Sequence, residues 1–273
     1  MRPQLVTLGA AVIDLAFSLT LVIVSLVVAL AYVERVSRNG AASHWRIELA
    51  GSSPLLGRSI LEMGYWAMIP AARVCIALGI GADAVSWSSL ACAVMAGVAL
   101  AAGRFGVGAA LAVVSSVGDG IDGIIARETG TASGAGEVLD ASVDRYGELF
   151  FLGGIAYHER LDGRTLVLTL VAVAGAMMVS YATAKAEALQ VPAPRGAMRR
   201  PERAVYLIVG TALVPIVAAI AAGGRLPPWT ARVPLIAALA IVGLVGNVSA
   251  VRRLRAVASA VRERESRAPT PTT

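Results

Sequence analysis

Residues 118–145 read GDGIDGIIARETGTASGAGEVLDASVDR and join two stretches that are otherwise almost free of charge. Four aspartates, Asp119, Asp122, Asp140 and Asp144, stand where the apolar runs 106–126 and 138–157 meet this link. On a helix, residues three or four apart share a face, so each pair presents its carboxylates together. The link is short, so the two helices are expected to be antiparallel neighbours whose acidic faces can meet. Isolated carboxylates at membrane depth are expensive, and four together repel one another unless protonated or neutralised. Divalent cations neutralise them, and hard oxygen ligands suit Mg²⁺, Mn²⁺ or Ca²⁺. Two pairs that merely solvated helix ends would not need this spacing with glycines interleaved.

The rest of the chain sets this segment in a membrane. Of 273 residues, 57% are apolar and 15% charged, and the mean hydropathy is +0.72. Soluble domains carry roughly 25% charged residues, so the composition excludes a disordered chain, a fibre and an ordinary soluble domain. Seven apolar stretches lie near 8–32, 83–103, 106–126, 138–157, 164–184, 204–222 and 231–251. Each approaches the roughly 20 residues that cross a bilayer as a helix. The first is long, has only Arg2 before it and lacks a clean cleavage site, which favours a retained span over a signal peptide. Asp14 within it is expected near the outer headgroups or against another helix. Residues 58–80 mix Arg58, Glu62 and Arg73 with bulky apolar side chains. They predict an amphipathic helix lying in the interface, interrupted at Pro70. The predicted organisation is an extra span and polar linker over 1–57, a membrane domain over 58–255, and a basic, disordered tail over 256–273.

Twenty-four basic and 18 acidic residues give a net charge of +6, and Lys185 is the one lysine. Such a balance could suit nucleic acid, but the cations sort by loop: 18 fall on the side of the four aspartates and 6 on the other. The positive-inside rule then places the acidic segment and the C-terminus in the cytoplasm, in a multi-pass protein of the cytoplasmic membrane with no nucleic-acid partner. Cys75 and Cys92 lie in apolar stretches without a CxxC and read as core thiols. A divalent-cation transporter would spread its acids through the membrane and over several spans, whereas these cluster at one end.

The pattern D-x2-D-G-x2-A-R-x8-G-x3-D-x3-D is filled by Asp119, Asp122, Gly123, Ala126, Arg127, Gly136, Asp140 and Asp144. It resembles the signature of the CDP-alcohol phosphotransferases at every position, and the resemblance extends over about residues 70–255. It implies an all-α integral membrane protein: the six-helix bundle of that family, plus one extra N-terminal transmembrane helix and the interfacial amphipathic helix. It also implies an enzyme that moves a phosphatidyl group from CDP-diacylglycerol to a polar alcohol and releases CMP. A pair of Mg²⁺ or Mn²⁺ ions, held by Asp119, Asp122, Asp140 and Asp144, would clamp the diphosphate. Asp144 would be the general base that takes the hydroxyl proton. The nucleotide would lie along Asp119, Asp122, Gly123, Ala126, Arg127 and Gly136. Gly123 lets it approach the helix backbone, and Arg127 can grip a phosphate bidentately.

Asp83 and Ser86 stand where that family has an Asn and a Thr; they could hold the cytidine, or Asp83 could cap its helix, which is the preferred reading. SYATAKAEA (180–188), RRPER (199–203) and VRRLR (251–255) resemble stretches of the bacterial phosphatidylinositol-phosphate synthases. By position, Arg200 and Arg253 match the basic residues that hold the phosphate of inositol phosphate there, and Arg203 lies on the same entry. A lysine of those enzymes falls on Thr183 here, and Lys185 follows two residues later, about 200° round a helix. The implied acceptor is inositol phosphate or inositol, with glycerol phosphate or another polar alcohol as the alternative. Tyr146 and Glu148 are candidate liners of the acceptor cavity, His158 reads as a solvated loop residue, and the resemblance implies a homodimer.

Overall fold

The structure is a computed structural model that describes residues 2–40, 55–192 and 196–267, with side chains from residue 9 onward. Most of the predicted linker (41–54) and the last residues of the tail (268–273) lie outside the described residues. The elements are helices: α1 (Arg2–Asn39), α2 (Gly57–Ala77), α3 (Ala82–Ala101), α4 (Phe105–Glu128), α5 (Gly134–His158), α6 (Gly163–Ala188), α7 (Arg200–Ala222) and α8 (Val233–Arg267), with a 3₁₀ turn at Pro228–Arg232. No strand occurs among the described residues.

Among the described residues, seven helices are long and apolar enough to cross a membrane, so the chain is a multi-pass membrane protein. The set differs in one place from the predicted spans. Helix α2 qualifies by length and composition, whereas α5 does not, because Glu137, Asp140, Asp144, Arg145 and Glu148 crowd its first half. Packing nevertheless lodges α5 inside the bundle. It crosses α3 where Gly154 meets the Gly97 carbonyl and a Cβ on Gly97 would strike the Phe150 carbonyl. Small residues let two backbones touch in this way without a hydrophobic driving force from lipid. The main core joins Leu100, Leu152, Ile155, Leu235, Leu239 and Val242 from three helices.

Helix α2 packs at the acidic end of the bundle: Met68, Ala72 and Ile76 meet Val85, Ile121, Ile124 and Ile125. Pro70 does not interrupt it. The helix is pinned on both sides of that residue, by this cluster and by Glu62, whose buried carboxylate accepts from Arg58 Nε at 2.6 Å and Tyr32 Oη at 3.3 Å. Tail residues up to Arg267 are likewise helical rather than disordered, because Val257 packs on Ala186 and Val191 and Arg264 Nη1 donates to the Leu189 carbonyl at 2.6 Å.

Helix α1 packs on α4 and α7, and Asp14 explains how. Its buried Oδ1 accepts the Val107 backbone N–H at 3.0 Å, in the first turn of α4. Arg104, at the N-cap of α4, supplies no side-chain cap, so a neighbouring helix supplies one. Asp14→Ala should therefore lower stability by about 1–2 kcal/mol, read as a fall in the thermal unfolding midpoint in detergent, while Asp14→Asn keeps most of it. His158, at the same end, is not solvated: its ring packs edge-on against Phe105, with centroids 5.0 Å apart.

Candidate active site and metal centre

The turn between α4 and α5 builds the site. Helix α4 ends in a Schellman arrangement: Thr131 N–H donates to the Ala126 carbonyl at 2.8 Å and Gly130 N–H to the Arg127 carbonyl at 3.3 Å. Gly130 adopts φ +69°, which a residue with a Cβ enters at a cost. Three residues later Ser133 caps α5, its Oγ accepting from Gly136 N–H at 3.1 Å. The chain thus reverses within five residues, and the acidic ends of the two helices stand side by side.

Asp119, Asp140 and Asp144 converge, each offering a carboxylate oxygen within 4.8 Å of the others. Opposite ligands of an octahedral Mg²⁺ are about 4.2 Å apart, so a shared cation fits this spacing. Asp119 Oδ1 is buried without a hydrogen-bond partner, as a ligand oxygen awaiting a cation would be. A cation of the chain's own already faces the cluster: the Arg200 guanidinium pairs with Asp119 through Nη1 and approaches Asp144 Oδ1 through Nη2 at 2.5 Å. The donor set is all carboxylate, which selects hard divalent ions.

Asp122 stands outside this triplet. It is buried, and its Oδ2 accepts from Ser86 Oγ at 2.5 Å. Ser86 thereby orients an acidic side chain. Asp83 is not the cap of α3; that position is Gly81, and Asp83 sits within the first turn, where its charge complements the helix dipole. Arg127 folds back over Gly123, so that a Cβ there would lie 3.1 Å from Nη1. Ala126 and Gly136 contribute their backbones to the two caps already described.

The basic residues expected around an acceptor separate into different roles. Arg203 is only 2% exposed and fully engaged: Nε and Nη2 donate to the two oxygens of Glu148 at 2.6 and 2.8 Å, and Nη1 to the Met198 carbonyl at 2.7 Å. It clamps α5 to α7. Glu148 is its partner and also lines the cavity below, while Tyr146 points outward, 57% exposed. Arg253 is buried and holds the loop before α7, donating from Nη2 to the Gly196 and Ala197 carbonyls at 3.0 and 3.1 Å. Its Nη1 lies 3.5 Å from Thr183 Oγ1, and Ser249 Oγ donates to the Ala197 carbonyl beside it. Lys185 is exposed on α6 and is not drawn into this arrangement. Ser249 and Ser133 were not expected; only Ser133, a serine just before a helix, carries a local signal. Below the carboxylates, a cavity of about 70 Å³ between α3, α4, α5 and α7 is lined by Ser115, Ser116, Asp144, Glu148, Phe151 and Arg200, among others.

Residues 80–245 match the family described as CDP-alcohol phosphatidyltransferase. A phosphatidylinositol phosphate synthase of Mycolicibacterium smegmatis is 32% identical over 193 residues, covering 67% of this chain and 82% of the relative. Among solved structures, the phosphatidylinositol phosphate synthase of Mycobacterium tuberculosis with CDP-DAG bound superposes with a TM-score of 0.59 at 24% identity, covering 70% of this chain and 92% of that one. The same enzyme in complex with manganese and citrate gives 0.60 at 24% identity, covering 70% and 89%. At that identity the structural likeness speaks for the fold, and the sequence matches speak for the family.

Proposed function

The chain belongs to the CDP-alcohol phosphatidyltransferase family, and on that premise we propose that it transfers a phosphatidyl group from CDP-diacylglycerol to the hydroxyl of inositol phosphate, releasing CMP. The observation that carries this reading is the carboxylate triplet Asp119, Asp140 and Asp144 at the family's signature positions. The relative in Mycolicibacterium smegmatis is a phosphatidylinositol phosphate synthase, which supports the acceptor. The CDP-DAG and manganese complexes of the Mycobacterium tuberculosis enzyme support the donor and the metal.

Asp119, Asp140 and Asp144, with Asp122 one turn from Asp119, are the proposed ligands of Mg²⁺ or Mn²⁺, two ions being our reading. When bound, such cations neutralise the diphosphate oxygens as charge builds on them. Gly123, Ala126 and Gly136 leave the helix ends open to the nucleotide, and Arg127 offers its guanidinium to a phosphate. Asp144 takes the proton of the acceptor hydroxyl as that oxygen bonds to the β-phosphorus, and the bond from phosphorus to the CMP oxygen breaks. Arg200 and Arg253 are the proposed contacts for the acceptor's phosphate, and Arg203 holds α5 and α7 in register beside them. The acyl chains stay in the bilayer while the alcohol arrives from the cytoplasm, on the side that holds most of the basic residues. The proposed assembly is a homodimer.

The test is CMP release by the purified protein in detergent, with CDP-diacylglycerol, Mg²⁺ or Mn²⁺, and inositol phosphate, inositol or glycerol phosphate. Inositol phosphate should give the fastest release, and exhaustive chelation should reduce it to background. Release that survives chelation, or none with any acceptor, would overturn the proposal. Thr183, standing where the resemblance places a lysine, favours a second reading in which unphosphorylated inositol is the acceptor; the same panel separates the two.

A further inference from the structure

Three arginines converge on the acidic end of the bundle, and two are locked. Arg203 is held by Glu148 and the Met198 carbonyl, and Arg253 is held through Nη2 by the carbonyls of Gly196 and Ala197. Arg200 differs in both respects. Its side chain is 38% exposed, and its guanidinium lies on the carboxylates of Asp119 and Asp144, two members of the triplet that fits a cation.

Its backbone is nevertheless fixed. Arg200 opens α7, Pro201 follows it, and Arg199 N–H donates to Glu202 Oε2 at 3.1 Å, with Glu202 buried. Any movement of the guanidinium is therefore a movement of the side chain, with solvent as its exit. Three carboxylates this close need positive charge, and here the chain provides it. A divalent ion and the guanidinium cannot use the same oxygens, since they compete for the same lone pairs and repel each other.

We propose that Arg200 is the resident counter-cation of the centre: it neutralises Asp119 and Asp144 in the metal-free protein, and a divalent ion displaces it. This rests on the reading of the triplet as a metal site. Loading the metal thus frees a guanidinium at the solvent edge of the centre, where it can meet an anionic group. The arrangement also orders events, because the anion-binding arm becomes available only once the metal is in place. Removing the arginine charge therefore tightens metal binding instead of weakening it.

The experiment titrates Mn²⁺ into chelator-stripped protein in detergent and reads free Mn²⁺ by electron paramagnetic resonance. Arg200→Gln is expected to bind Mn²⁺ roughly tenfold more tightly than wild type, a typical coupling between competing sites. Arg200→Lys, which keeps the charge, should stay near wild type. The thermal unfolding midpoint of Arg200→Gln should fall in chelator and recover with Mn²⁺. Unchanged or weaker Mn²⁺ binding by Arg200→Gln would overturn the inference, since the guanidinium would then share the centre with the ion. A second measurement needs no variant: phenylglyoxal should modify Arg200 of the wild-type protein faster with Mn²⁺ than in chelator, and slower modification would overturn it too. Failure of the metal-site reading looks different, with wild type binding no Mn²⁺ or Asp119→Asn binding it equally well.

Discussion

Asp144→Asn should lose CMP release by roughly 10³-fold or more while the protein still folds. Asparagine matches aspartate in shape, so the packing of α5 against α3 is kept. It lacks the charge that joins Asp119 and Asp140 at the triplet, and it cannot take a proton from a hydroxyl. Asp140→Asn is the informative comparison, because Asp140 belongs to the same triplet but is exposed and has no proposed proton-transfer role. Raising the Mn²⁺ concentration should restore much of the Asp140→Asn activity and little of that of Asp144→Asn. Full activity in Asp144→Asn would remove the base assignment, and full rescue by metal would reduce Asp144 to a ligand.

Arg203→Ala should produce the largest loss of stability among single substitutions at this end of the bundle, about 3–5 kcal/mol. The cause is the partner left behind. Glu148 is 12% exposed and has both oxygens on Arg203, so the variant buries a carboxylate with nothing to balance it. Arg203→Lys should recover little, since one ammonium cannot replace the two parallel hydrogen bonds and the third to Met198. The double variant Arg203→Met with Glu148→Gln should be more stable than Arg203→Ala, because the uncompensated charge is gone. Unfolding midpoints in detergent measure all of these, and an Arg203→Ala midpoint equal to wild type would show the pair to be ornamental.

The parts of this molecule that could be read from sequence are those decided locally. Apolar run length marks the spans, and three- and four-residue spacing puts each aspartate pair on one face before any partner is known. The short link then brings Asp119 to Asp140 and Asp144. The contacts that the sequence does not reveal are those whose partners lie far along the chain. Arg203 finds Glu148 55 residues away, and Arg253 finds the Gly196 carbonyl 57 residues away. Both look like loop cations in a charge count, because residue type carries no record of a distant acceptor. Pro70 was misjudged for a related reason: the helix rule is local, and packing of Met68 and Ala72 on α4 overrides it. Asp122 shares a face with Asp119, yet Ser86 on another helix decides where its carboxyl goes.

The first helix is tied to the rest of the fold at two polar points, Asp14 on Val107 and Tyr32 on Glu62. The 18 residues between them cover about 27 Å, close to the roughly 30 Å hydrocarbon thickness of a bilayer. A helix pinned only once could tilt to suit its surroundings, whereas one pinned at two points this far apart cannot do so without straining a tie. Lipids much longer or shorter than this distance are expected to load the two ties directly, and a fall in the unfolding midpoint in bilayers of mismatched thickness would measure that load.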